Sequence, residues 1–432
     1  MPSSFDNFLS ELFSKRHSAK PFEPGKSEIK VTGKFFDFEE IRAAIEASID
    51  FWLTAGPETE KFESNLAKRI GMRHAFMVNS GSSANLLALT ALTSKKLGDR
   101  RLMPGDEVIT VAAGFPTTVA PIIQNNLIPV YIDVDIPTYV ANTESIASAI
   151  GPKTKAIMMA HTLGNPFNLK VVSELAKKHN LWVIEDNCDA LGGTYQGQNL
   201  GSFGDLSTLS FYPAHHITTG EGGAVLTKKA ILKPIIESFR DWGRDCWCAP
   251  GKDNTCLKRY EWQLGELPEG YDHKYTYSHI GYNLKSGDIQ AAIGNVQLNR
   301  LDWFIEKRRE NWKYLRTALT HLEEFLILPE PTVDSNPSWF GFAITVREES
   351  PISRDTLVRL LNERNIGTRL LFGGNLLRQP AFIDTPRRVH RSLINSDTVM
   401  KSTFWIGVWP GLEVSMLEYV VSSFNQIFGV KN

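Results

Sequence analysis

The rhythm of the chain between about residues 60 and 230 most constrains its fold. Short apolar runs of strand length alternate there with longer stretches of helical pattern. HAFMVN at 74–79 precedes SSANLLALTALTSKKL, and DEVITVAA at 106–113 precedes PTTVAPIIQNN. IPVYIDV, TKAIMMAH, VVSELAKKHN and LWVIEDN follow in turn. Strands that alternate with helices pair in parallel and are covered on both faces. The pattern therefore predicts an α/β domain built on a mostly parallel sheet.

The chain has 432 residues, 42% of them hydrophobic, which is enough for this domain and a smaller one. We place a large α/β domain at 35–295, after an N-terminal extension at 1–34. Within it, residues 240–280 are rich in Gly, Trp, Tyr, Lys and Asp and break the alternation, so they read as an irregular insertion. A long helix is expected to run from SGDIQAAIGNVQL into DWFIEKRRENWKYLRTAL. Beyond it WFGFAITV, SRDTLVRLLNERN and SMLEYVVSSFNQIF predict a small α+β domain at 296–432.

Other classes are disfavoured. Formal net charge is −1, with 47 basic and 48 acidic residues evenly mixed, so no basic stripe points to nucleic acid or an acidic membrane surface. MPSSFDNFLSELFSKRH carries acidic residues within its apolar part, which suits a surface helix better than a signal peptide. No run of 18 apolar residues could span a bilayer. The expectation is a soluble, cytoplasmic protein.

In such sheets ligands sit beyond the carboxyl ends of the strands. MVNSGSSANLLAL puts Asn79-Ser80-Gly81-Ser82-Ser83 between a strand and a helix, where bare backbone N–H groups can cradle a phosphate. A simple small-residue helix cap is the other reading. LWVIEDNCDALGG ends an apolar strand on Glu185, Asp186, Asn187, Cys188 and Asp189. A carboxylate at that point either caps a helix or holds a proton on the ring nitrogen of a pyridine cofactor.

Taken together and in order, NSGSSANLLAL, GDEVITVAAGFPTTVAPI, VYIDVDIPTY, VIEDNCDALG, LSFYPAHHITTGEGGAV and GYNLKSGDIQAAIG resemble the sugar aminotransferase family of fold-type I pyridoxal phosphate enzymes. The resemblance runs from Leu53-Thr54-Ala55-Gly56-Pro57 to the C-terminus, about nine-tenths of the chain. It implies an aspartate aminotransferase-like fold. It further implies that Gly81, Ser82 and Ser210 hold a cofactor phosphate and that Phe115 stacks on the pyridine ring. Asp186 would pair with the ring nitrogen. Asn283 of GYN would reach the phosphate of a neighbouring subunit, which makes the protein a homodimer with shared sites.

Two positions depart from the family pattern. The lysine that normally bonds the cofactor falls on His215, and the Gln or His flanking the ring falls on Asp189. An imidazole cannot replace that bond but can carry a proton near neutral pH. The departure implies pyridoxamine phosphate held without a covalent bond, with His215 removing a proton from its C4′ carbon. The outcome is dehydration rather than transamination. His216 reads as structural.

The cysteines separate two branches of the family that use this histidine. Cys188, Cys246, Cys248 and Cys256 are all the cysteines present, spaced C-x57-C-x-C-x7-C. Disulfides are disfavoured in a large cytosolic chain. The spacing resembles that of the branch that deoxygenates CDP-4-keto-6-deoxyglucose with a [2Fe–2S] cluster, fed by an NADH-dependent flavin and iron–sulfur reductase. The other branch acts on a GDP-hexose without a metal. A structural zinc site and four unrelated thiols are the remaining readings of the cysteines, and a non-enzymatic cofactor-binding protein is the remaining reading of the whole. Arg369 and Arg378 in GTRLLFGGNLLRQPAF are candidate partners of a substrate pyrophosphate.

Overall fold

The structure is a computed structural model that describes residues 4–18, 20–246, 248, 252–255 and 257–430. Cys256 lies outside the described residues. Among them the main sheet has eight strands, ordered His74–Val78, Gly223–Thr227, Leu206–Ser210, Trp182–Asp186, Thr154–Ala160, Glu107–Val111, Ile128–Ile132 and Arg388–Val389. Gly223–Thr227 runs against both of its neighbours, and the other pairings are parallel.

The side chains explain why both faces are covered. Ile109, Val130, Ile132, Ile157, Met159 and Val183 are buried in one core. Val108, Tyr131, Ala156, Met158, Trp182 and Ile184 are buried in another. Adjacent residues of one strand thus enter opposite cores, the period-two geometry of a pleated strand. The helices Gly81–Ala91, Pro116–Gln124 and Leu169–His179 fall on the helical patterns of the sequence.

A four-stranded antiparallel sheet, ordered Leu326–Ile327, Gly341–Val346, Thr403–Gly407 and Arg369–Leu370, forms a second layer with its own core. The N-terminal segment reaches this sheet: the Ile29 N–H donates to Asn365 O at 2.8 Å and Gly367 N–H to Ile29 O at 2.8 Å.

The structure differs from the expected single long helix. Two helices, Asp288–Asn299 and Leu301–Ala318, meet at Arg300 (φ −96°, ψ −3°). The Arg300 N–H closes a tight turn on Gln297 O at 3.1 Å. Its guanidinium leaves the helix line to bind Asp37 at 2.7 Å and Glu39 at 2.8 Å. The insertion is irregular, with one 3-10 turn at His273–Tyr275. No helix among the described residues is long and apolar enough to cross a membrane.

Candidate active site

Most of the candidate residues lie at or beside the carboxyl ends of the sheet strands. Asp186 closes Trp182–Asp186 with 3% of its surface exposed. Its Oδ2 accepts from Asn85 Nδ2 at 2.8 Å and Thr118 Oγ1 at 2.6 Å, and its Oδ1 accepts from the Cys188 N–H at 3.2 Å. Thr208 Oγ1 in turn donates to Asn85 Oδ1 at 2.6 Å, so the amide that orients Asp186 is itself held. The neighbouring Glu185 does structural work. It accepts from the N–H groups of Gly201 (2.9 Å), Phe203 (2.8 Å) and Gly204 (2.6 Å), and lies 3.1 Å from His161 Nε2.

The candidate anion cradle lies where the helix Gly81–Ala91 begins. Ser80 caps it by accepting the Ser83 N–H at 3.1 Å, which leaves the first-turn N–H groups of Gly81 and Ser82 for an anion. Residue 81 must be small, because a Cβ there would lie 2.5 Å from Ser210 Cβ. Ser82 Oγ donates to Thr117 Oγ1 at 3.1 Å. Phe115 caps the next helix with its ring 45% exposed and edge-on to Phe372 at 5.9 Å. A buried, triply bonded carboxylate, an anion cradle and an exposed ring at the strand ends fit a phosphorylated pyridine.

His215 lies on the loop joining Leu206–Ser210 to Gly223–Thr227. The loop is tightened by Phe211 N–H to Gly222 O (2.9 Å) and His215 N–H to Tyr212 O (2.9 Å). The imidazole lies 5.0 Å from the Phe340 ring at an interplanar angle of 30°, and its Nδ1 is 3.5 Å from Asp189 Oδ1. Burial, then the Arg308 charge, pushes His215 down to about 3, so its imidazole is neutral. Burial, then the Asp186 charge, pushes Asp189 up to about 8. His216 is buried and donates through Nε2 to Ser338 O at 2.8 Å.

Of the remaining candidates only Cys188 adjoins Asp186 through its own hydrogen bond. Asn283 is exposed and accepts from Lys285 Nζ at 2.7 Å. Arg369 is exposed and donates to Thr368 O at 2.8 Å. Arg378 is engaged by Asp397, Nε to Oδ1 at 3.2 Å and Nη2 to Oδ2 at 3.0 Å, so its charge already has a partner. The Cys188 thiol is pushed well up by burial, then by the Asp186 charge. Cys246 and Cys248 line one small cleft with Asp253, Asn254, Arg259, His273 and Lys274. Among the described residues no group of three metal-ligating side chains is assembled.

Sequence reasoning missed Asn85, Thr118, Phe340 and Arg308. The first two carried a faint signal, as polar residues in the otherwise apolar runs ANLLALTAL and PTTVAPII.

The parallel sheet, the anion cradle and the carboxylate at the strand end define a pyridoxal phosphate-dependent aminotransferase fold. Residues 36–425 match the DegT/DnrJ/EryC1/StrS aminotransferase family, and the chain belongs to it. It is 60% identical over 413 residues to the lipopolysaccharide biosynthesis protein RfbH of Salmonella typhimurium, covering 96% of this chain and 94% of that one. It is 52% identical over 425 residues to dTDP-4-dehydro-2,6-dideoxy-D-glucose 3-dehydratase of Saccharopolyspora spinosa, covering 98% and 92%. The E. coli GDP-4-keto-6-deoxy-D-mannose-3-dehydratase structure with bound hydrated PLP superposes with a TM-score of 0.83 at 28% identity, over 91% of this chain and 98% of that one.

Proposed function

We propose that the protein is a cytoplasmic, homodimeric 3-dehydratase of a 4-keto-6-deoxy nucleotide sugar. CDP-4-keto-6-deoxyglucose is the substrate we assign, on the route to 3,6-dideoxyhexoses of lipopolysaccharide O-antigen. The observation that carries the reading is His215, a neutral imidazole where the family pattern has its lysine, on the loop beside Asp189. Two relatives whose names state 3-dehydration, one similar in sequence and one in structure, support the reaction class.

Bound pyridoxamine phosphate supplies an amine for the keto sugar and a ring that accepts electrons. The chain's own residues do the rest. Gly81, Ser82 and Ser210 hold the phosphate, joined by Asn283 of the partner subunit. Asp186, fixed by Asn85 and Thr118, meets the ring nitrogen, and Phe115 covers the ring face. His215 accepts the C4′ proton, and Asp189 keeps the imidazole oriented. Arg369 and Arg378 are the proposed contacts to the sugar-nucleotide pyrophosphate, the second only if its pairing with Asp397 opens.

Cys188, Cys246, Cys248 and Cys256 would hold a [2Fe–2S] cluster, which supplies single-electron transfer from an NADH-dependent flavin and iron–sulfur reductase. Cys188 lies two residues from Asp186, which ties that ligand to the cofactor pocket. A cluster-free enzyme acting on a GDP sugar is the second reading, favoured by the structural likeness to the GDP-sugar dehydratase. Anaerobic purification decides between them. The first reading predicts iron and sulfide at one [2Fe–2S] cluster per chain and an EPR signal on reduction. It also predicts that Cys248→Ser loses the signal and 3-deoxy product while keeping proton exchange at C4′. Iron-free protein after reconstitution would select the second reading.

A further inference from the structure

We propose that Arg308 is a positioning residue that aims the side chain at 215 toward the cofactor. The inference rests on the placement of His215 beside the cofactor described above. Arg308 lies on Leu301–Ala318, a helix whose Lys307 pairs with Glu310 and whose Arg309 pairs with Glu306 and donates to the carbonyls of Pro337 and Asn336, each at 3.1 Å. Arg308 instead turns inward and is 1% exposed. Asp189 is the carboxylate that acts on its charge, though not at ion-pair distance, and burial outweighs it and pushes the guanidinium down to about 9. A buried charge without a close counterion is costly unless its donors meet fixed acceptors.

The acceptors identify the task. Arg308 Nη2 donates to the carbonyl of His215 at 3.3 Å, and Nη1 to the carbonyls of Trp339 at 3.1 Å and Phe340 at 3.5 Å. One planar fork therefore ties the loop carrying the imidazole to the segment carrying the ring packed against it. That segment is pinned independently. Trp339 stacks on Trp312 at 4.2 Å, Ser338 O accepts from His216, and the Phe340 N–H donates to Leu163 O at 2.9 Å. Leu163 holds a left-handed backbone (φ 49°) to make this bond, a conformation that is strained for a leucine. Beside the His216 bond to Ser338, Arg308 is the side chain that ties this rigid wall to the backbone carbonyl of residue 215 itself. A lysine has the charge but only a point donor, so it cannot span all three carbonyls.

A test that does not depend on turnover uses His215→Lys, in which the new amine captures added pyridoxal phosphate as a covalent, visible-absorbing adduct. Capture requires residue 215 to point at the cofactor aldehyde. Adding Arg308→Met to this variant should slow capture by up to about a hundredfold, the cost of misplacing a reacting group by about 1 Å. Adding Arg308→Lys should slow it less. In Arg308→Met with His215 intact, equilibrium dialysis should find pyridoxal phosphate affinity unchanged. Capture at an unchanged rate, or slowing matched by an equal loss of cofactor affinity, would overturn the proposal. Should the methionine variant fail to fold, Arg308→Lys carries the test: slower capture supports the role and an unchanged rate overturns it. If His215→Lys alone forms no adduct, the placement of residue 215 beside the cofactor fails, and the Arg308 role fails with it.

Discussion

Replacing His215 with asparagine leaves pyridoxamine phosphate bound and slows dehydration by about a hundred- to ten-thousand-fold, the usual contribution of a positioned general base. Asparagine is polar, fits the space and can keep contact with the Phe340 wall, so the loop has no reason to move. The amide cannot take up a proton at any working pH. On the proposed placement, cofactor affinity rests on other groups: the N–H groups at Gly81 and Ser82, the adjoining Ser210 and the carboxylate of Asp186. Proton exchange at C4′ and cofactor binding, measured on the same preparation, should therefore separate. Unchanged exchange would remove His215 from its role. Loss of both together would make it a structural residue.

Replacing Asp186 with asparagine should act in the opposite way, weakening cofactor binding and reaction together. Asn85, Thr118 and the Cys188 N–H all donate toward this one carboxylate. An amide there keeps one acceptor oxygen and turns an NH2 group toward donors, leaving buried hydrogen bonds unmade. It also removes the negative charge proposed to face the ring nitrogen. Breaking a buried charge pair costs about 3–5 kcal/mol, or roughly two to four orders of magnitude in affinity and rate combined. Fluorescence titration with pyridoxamine phosphate reads the first part and product formation the second. Binding and turnover close to those of the unaltered protein would show that Asp186 does not face the ring.

What could be read in advance followed from local chemistry. LWVIED is apolar until it reaches the strand end, so the two carboxylates there stand out, and the structure gives them separate work. Glu185 ties the 201–204 turn while Asp186 faces the pocket. NSGSS announces a helix start because serine and glycine suit its cap. Long-range pairings left no such mark. Arg378 meets Asp397 across 19 positions, and neither residue differs in sequence from a surface charge. Arg308 is hidden inside EKRRENW, where the basic residues on either side pair with glutamates of the same helix. Arg388–Val389 adds an eighth strand through two residues, too short to show any period. The helix break at Arg300 depends on acidic partners from residues 37 and 39, beyond the reach of helical propensity.

The central claim is that this chain removes the C-3 hydroxyl and does not transfer nitrogen to C-4. The most direct measurement uses CDP-4-keto-6-deoxyglucose carrying a heavy-oxygen label on its C-3 hydroxyl. The sugar is incubated anaerobically with pyridoxamine phosphate-loaded protein, and the label is followed by mass spectrometry. The account predicts that the label leaves the sugar and appears in water, and that His215→Asn abolishes this release. A sugar that keeps its label while an amine replaces the C-4 ketone would contradict it and make the protein an aminotransferase.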